Sequence, residues 1–233
     1  MKILNSFQLK IIMCIFMFMD HMAEFIPGTP LWFRYIGRVV APIFFFLLIE
    51  GYFHTKNKTA YAKRLFIFAL IMLIGNRLLD SLIFPAKNIG IHNNIFLSLF
   101  WGVMLLNSIE KYKISYEDKK SNLISILLIS ILSMFSEASF LGLGMVLIFY
   151  FYKEKILIRD LLYILLSLST IFLFGSISLT SLLSENFQWM MVFSLLFIHM
   201  YNGKKGLGLK YFFYIFYPIH IWILYIISYY MSK

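Results

Sequence analysis

One cysteine, Cys14, stands in the whole chain, so no disulfide closes within it and cysteine usage does not reveal the redox compartment. Set in an apolar run, Cys14 reads as a small buried hydrophobe and not a thiol nucleophile. Charge is scarce. Only 14% of residues are Asp, Glu, Lys or Arg, where soluble domains carry about 25%. There is no GxSxG elbow, no P-loop, no CxxC and no GxGxxG between strand and helix, so the usual hydrolase, nucleotide-binding and thiol-redox signatures are missing. No linker, internal repeat or low-complexity stretch divides the chain. One integral-membrane domain over residues 1–233 is expected, with no soluble appendage to carry chemistry. The missing repeat also weighs against a transporter built from inverted halves.

What is present is apolar. Hydrophobic residues make up 61% of the chain, with 26 Phe and 15 Tyr. That is more apolar surface than a soluble fold of this size hides, so the expected solvent is lipid and the expected class is all-α, a polytopic membrane helical bundle. Runs near the length of a bilayer crossing occur at residues 9–25, 35–52, 61–84, 93–109, 122–135, 140–152, 161–183, 187–201 and 211–230. The reading is therefore about nine transmembrane helices, with the fifth, sixth and eighth short. An N-terminal "MKILNSFQLKIIMCIFMFMDHM" resembles a signal peptide but lacks a small-x-small cleavage site, and reads as a retained first span.

Charge supports that count. With the N-terminus cytoplasmic, sixteen of the 21 Lys and Arg fall in inner segments, and Arg34, Arg77, Lys87 and Lys233 fall outside, leaving Arg38 within a span. Such asymmetry is the positive-inside pattern, and it gives the net charge of +10 a topological origin that needs no nucleic acid. The expected location is the cell (inner) membrane, multi-pass.

Ionisable groups inside spans cost a few kcal/mol each, roughly 2.5–3.5 on insertion scales, and mark function by default. In "MFMDHMAEF", Asp20 and His21 lie deep in the first span, and Arg38 enters the second at similar depth. They form either a working triplet, the carboxylate orienting the imidazole and the guanidinium balancing it, or an ion pair that locks two helices. Glu50 and His54, four apart, share one helix face near Tyr61 and Arg64. That group reads as an interfacial salt-bridge cluster or as a polar mouth for a charged ligand; two metal-type ligands without a third make a metal site weak. Asn76, Arg77 and Asp80 close the third span, while His92, Asn93 and Asn94 open the fourth, as helix caps or as cavity donors. Glu137 lies between two short spans. His220 follows Pro218, whose kink is expected to open space and free a carbonyl beside the imidazole. His199 reads as interfacial. "GKKGLG" at Gly203–Gly208 offers phosphates a basic glycine-rich loop, or is simply a tight inner turn with topogenic lysines.

Together, "LKIIMCIFMFMDHMAEF", "YIGRVVAPIFFFLLIEGYFHTKN", "YAKRLFIFALI" and "YNGKKGLGLKYFFYIFYPIHIWILYI" resemble the TraX family, from about Ile11 to Leu224, with the stretch from Asn107 to Asn186 looser. The family's name-bearing member acetylates the N-terminus of conjugative pilin, and the family resembles the wider transmembrane acyltransferase superfamily. The resemblance implicates Asp20, His21, Arg38, Glu50, His54, Arg64, Asn93 and His220. It implies acetyl-CoA as co-substrate; the acceptor does not carry over from the family, and an extracytoplasmic peptide or protein N-terminal amine is the first expectation. A glycan or small-molecule O-acetyltransferase, a proton-coupled transporter and a non-enzymatic assembly factor are the alternatives. On this reading His21 is the base, with Asp20 orienting its ring or balancing the imidazolium, and His220 is a rival base or relay. Arg38 or Asn93 steadies the oxyanion, and Arg64, Lys204 and Lys205 meet the phosphates of acetyl-CoA.

Overall fold

No proline or glycine interrupts residues 6–25, so the first apolar run forms one helix, ended just before Pro27 and Gly28. A computed structural model describes residues 2–84, 90–115, 117–173 and 177–232; Lys87 and Lys233 of the charge count lie outside them. Among the described residues every regular element is a helix, and Leu4 and Tyr201 meet in an isolated parallel bridge. The all-α expectation is met.

The α-helices are α1 (Ser6–Phe25), α2 (Trp32–Gly37), α3 (Val40–His54), α4 (Lys58–Leu78), α5 (Ile95–Ile114), α6 (Lys119–Ser133), α7 (Ser139–Phe151), α8 (Ile156–Leu173), α9 (Leu179–Ser184), α10 (Ser194–Met200) and α11 (Lys210–Met231). A π-helical turn, Leu79–Ile83, extends α4, and a 3₁₀-helix, Gln188–Phe193, leads into α10. Among the described residues five segments are long and apolar enough to cross a membrane: Ser6–Phe25, Trp32–His54, Lys58–Ile83, Ile156–Leu173 and Tyr211–Met231. The other expected spans fall on elements that are shorter or more polar. Ser139–Phe151 and Gln188–Met200 are short, and α5 carries Asn107, Glu110, Lys111 and Lys113 near its end.

Several expected boundaries move, each for a local reason. The second run divides at Arg38–Val39, because Pro42 supplies no amide to the Arg38 carbonyl. The seventh does not reach Leu183 as one helix: α8 ends at Leu173, and α9 starts afresh with the Ser178 hydroxyl accepting from the Ser181 amide. The eighth begins as a 3₁₀-helix.

The chain separates into two compact units, Met1–Phe44 with Asn76–Ile91 and Tyr152–Lys233, and Phe45–Gly75 with His92–Phe151. In the first unit α1 packs on α2 and α11, and α8 packs on the 3₁₀-helix. The start of α1 is clasped by the loop before α11. Ile3 and Leu4 amides donate to the Met200 carbonyl, both at 2.9 Å, and the Asn202 amide donates to Leu4. Ser6 and Phe7 amides then donate to the Lys204 and Lys205 carbonyls at 2.8 and 3.1 Å, satisfying two of the donors that a helix start leaves open. In the second unit α5, α6 and α7 pack on one another. Gly102 lets α5 approach α7 and Gly142 lets α7 approach α3: an added Cβ would lie 2.9 Å from Val146 Cγ2 at the first and 2.9 Å from the Phe45 ring at the second.

Candidate active site

Two oppositely charged pairs face each other across α1 and α2. Asp20 and Glu24 are four apart on α1; Arg34 and Arg38 repeat the spacing on α2 and the turn after it. Arg38 Nη2 donates to both Asp20 oxygens at 2.8 Å. Arg34 Nη1 reaches Asp20 Oδ1 at 3.2 Å and Glu24 Oε2 at 3.2 Å. Arg38 also donates to Gln188 Oε1 at 3.2 Å and lies 5.5 Å from the centre of the Phe187 ring. Asp20 is only 8% exposed, so its charge depends on these two guanidinium groups.

Gly37 makes the approach possible. A Cβ there would fall 2.2 Å from Asp20 Cγ. Gly37→Ala is therefore expected to push Asp20 off Arg38 and to destabilise the purified protein by about 1–3 kcal/mol, as overpacking does. Thermal unfolding in detergent measures it, against Gly208→Ala, where an added Cβ meets nothing within 4 Å.

His21 leaves α1 on a different side. Its Nδ1 is 2.8 Å from Nε2 of His220, 199 residues later in sequence on α11. The ring centres are 5.0 Å apart, tilted by 31°. His220 Nδ1 donates to the Phe216 carbonyl at 2.7 Å, and the Phe216 ring stacks on the imidazole at 4.6 Å. Tyr217 stands edge-on to both imidazoles. Both histidines are buried.

This geometry corrects two expectations. Asp20 does not hydrogen-bond the His21 ring, because its oxygens are taken by Arg38 and Arg34; the group that orients His21 is His220. Nor does Pro218 free the carbonyl that His220 uses. The amide missing at Pro218 would have served Tyr214, whereas His220 folds back onto Phe216, its own partner four residues earlier. The signal that sequence reasoning passed over was the matched spacing in "DHMAE" and "RYIGR", which brings Arg34 and Glu24 into the same network. Gln188 had no such signal.

The wall of this unit continues along α11. Trp222 Nε1 donates to Asn76 Oδ1 at 2.9 Å, and the Tyr225 hydroxyl lies 3.0 Å from Asp80 Oδ1 and 2.7 Å from the Phe84 carbonyl. Asn76 and Asp80 thus fasten the end of the third expected span to α11. His199 Nε2 lies 2.7 Å from Asp160 Oδ2, with Arg159 on the other carboxylate oxygen.

Lys204 and Lys205 belong to this unit. Their carbonyls hold α1 while their side chains are exposed. Glu50, His54, Arg64 and Asn93 belong to the second unit. There His54 Nδ1 donates to the Glu50 backbone carbonyl at 2.8 Å. Arg64 sits over the Tyr61 ring at 5.7 Å, and its buried Nε makes no hydrogen bond to a described residue. Asn93 is buried at the mouth of α5, His92 is exposed, and Asn94 caps the helix by accepting from the Leu97 amide while its own amide donates to Glu137 Oε2 at 2.5 Å. Glu137 therefore has a structural part in ordering that helix start.

Comparison with known proteins adds two findings. A family model described as "TraX protein" matches residues 6–228. A relative 27% identical over 237 residues, covering 94% of this chain and 94% of its own, is the "Probable fimbrial assembly protein FimC, serogroup H1" of Dichelobacter nodosus. No solved structure matches.

Proposed function

We propose that this chain, which belongs to the TraX family, is a membrane-embedded acetyltransferase that moves an acetyl group from cytosolic acetyl-CoA to the N-terminal amine of an extracytoplasmic peptide or protein. The observation that carries the reading is the buried His21–His220 pair at 2.8 Å, formed by helices from opposite ends of a chain with five segments fit to cross a membrane. Buried imidazoles in lipid-facing helices are costly, and a reaction that needs a base between two polar substrates accounts for them. The fimbrial assembly name of the relative suggests pilin-like subunits as acceptors.

An uncharged amine attacks the thioester carbonyl. The C–N bond forms, the C–S bond breaks, and the proton leaves nitrogen for an imidazole and passes to the departing thiolate. Arg38 keeps its place as the candidate oxyanion donor, its charge shared with Asp20. Exposed Lys204 and Lys205 suit the phosphates of acetyl-CoA. Topology goes with the proposal: N-terminus in the cytosol, about nine crossings, inner membrane.

The test is transfer itself. Vesicles carrying the protein, given labelled acetyl-CoA and a peptide with a free N-terminus, are expected to label that peptide and to leave an N-blocked copy unlabelled. Label on added glycan would move the reaction to oxygen. No consumption of acetyl-CoA above empty vesicles would sink the transferase reading.

A further inference from the structure

The hydrogen-bond chain through the two imidazoles has a direction. A carbonyl oxygen only accepts, so His220 Nδ1 carries a hydrogen towards Phe216. An uncharged His220 then presents a lone pair at Nε2. The atom 2.8 Å from that lone pair is His21 Nδ1, which must be the donor. An uncharged His21 with hydrogen on Nδ1 holds its own lone pair on Nε2, and no hydrogen bond from a described residue reaches that atom. Of the arrangements that leave both rings uncharged, this is the only one that fits both distances.

Resting on the transferase reading above, we infer that His21 Nε2 is the base and that His220 is a positioning residue which fixes the His21 tautomer. The carboxylate that usually holds a catalytic imidazole is here replaced by a second, neutral imidazole, because the nearby carboxylate of Asp20 is consumed by Arg38 and Arg34. His21 Nε2 takes the proton of the attacking amine, and His220 accepts from Nδ1–H throughout, steadying the imidazolium while it lasts. The same proton then goes from Nε2 to the sulfur of the leaving thiolate. His220 exchanges no proton and forms no bond to the acetyl group. Its own ring is held by the Phe216 carbonyl and by stacking on the Phe216 ring.

The test separates accepting a hydrogen bond from exchanging a proton. In His220→Gln the amide oxygen can occupy the Nε2 position and accept from His21; in His220→Leu nothing accepts. The full chain in detergent, with labelled acetyl-CoA and a free-amine peptide, is expected to keep kcat within about 10-fold of wild type in H220Q. In H220L kcat is expected to fall by about 10²–10⁴-fold with KM for acetyl-CoA unchanged. Equal collapse of kcat in both variants, or full activity in H220L, overturns the assignment. Nitrogen NMR of ¹⁵N-histidine-labelled protein reads the tautomer without any acetyl transfer, with His21→Asn assigning the signals. A lone pair on His21 Nε2 and hydrogen on Nδ1 are expected, and the reverse tautomer overturns the proposal. Since that readout does not depend on activity, a wild type that transfers nothing defeats the transferase reading while the spectrum still decides the tautomer.

Discussion

Replacing Asp20 by alanine is expected to destabilise the protein by about 3–5 kcal/mol, because breaking a buried ion pair from one side strands the other charge. Here two charges are involved. Arg38 spends one nitrogen on both Asp20 oxygens, and Arg34 divides itself between Asp20 and Glu24. After Asp20→Ala, Arg34 still has Glu24, but among the described residues Arg38 keeps Gln188, the Arg34 carbonyl and the Phe187 ring, none of them charged. Denaturant titration in detergent measures the loss. The double variant Asp20→Ala, Arg38→Leu removes both charges and is expected to recover part of it, since an ion pair replaced by apolar side chains is often near neutral. Additive losses would show that Asp20 and Arg38 are not coupled in the membrane-embedded protein.

His21→Asn is expected to abolish acetyl transfer, by about 10²–10⁴-fold, while leaving the fold intact. The choice of asparagine follows from the geometry. Its side-chain nitrogen can stand near the position of His21 Nδ1 and still donate to His220 Nε2, but nothing stands where the Nε2 lone pair was. His21→Ala is a poorer probe, because it leaves His220 Nε2 buried without its donor, a loss of roughly 1–3 kcal/mol in its own right. Thermal unfolding within a few degrees of wild type, together with loss of labelled product, is the expected pair of results. Transfer that persists in the folded variant would remove His21 from the chemistry.

Much of this site was legible in the sequence because polar residues in an apolar background are few. Asp20, His21, Arg38 and His220 stand out by composition alone, and helical spacing puts Glu50 with His54. Partners were harder to read. Whether an aspartate serves a histidine or an arginine depends on side-chain direction across two helices; adjacent residues point about 100° apart, so Asp20 and His21 were expected to part, but which partner each would meet was not legible. The matched spacings of Asp20 with Glu24 and Arg34 with Arg38 would have disclosed the ion-pair network. The contact between His21 and His220 had no local signal, since it joins the two ends of the chain. Element ends were also misread where hydropathy runs on through a break, as across Arg38–Val39 and just before α9, because the bilayer selects apolar residues on both sides of a turn.

The clasp between the first residues and the loop before the last helix imposes an order on biogenesis. A ribosome delivers the first helix long before its partners, and Arg38, 18 residues behind Asp20, neutralises the acid almost at once. The imidazole must wait for nearly the entire remaining polypeptide to be synthesised and inserted. Met200, Lys204 and Lys205 arrive just ahead of α11 and take hold of the oldest part of the nascent chain. Electrostatic repair thus comes early and the pairing of the two imidazoles comes last, so on the acetyltransferase reading a translation product that stops short of the final helix is expected to transfer nothing.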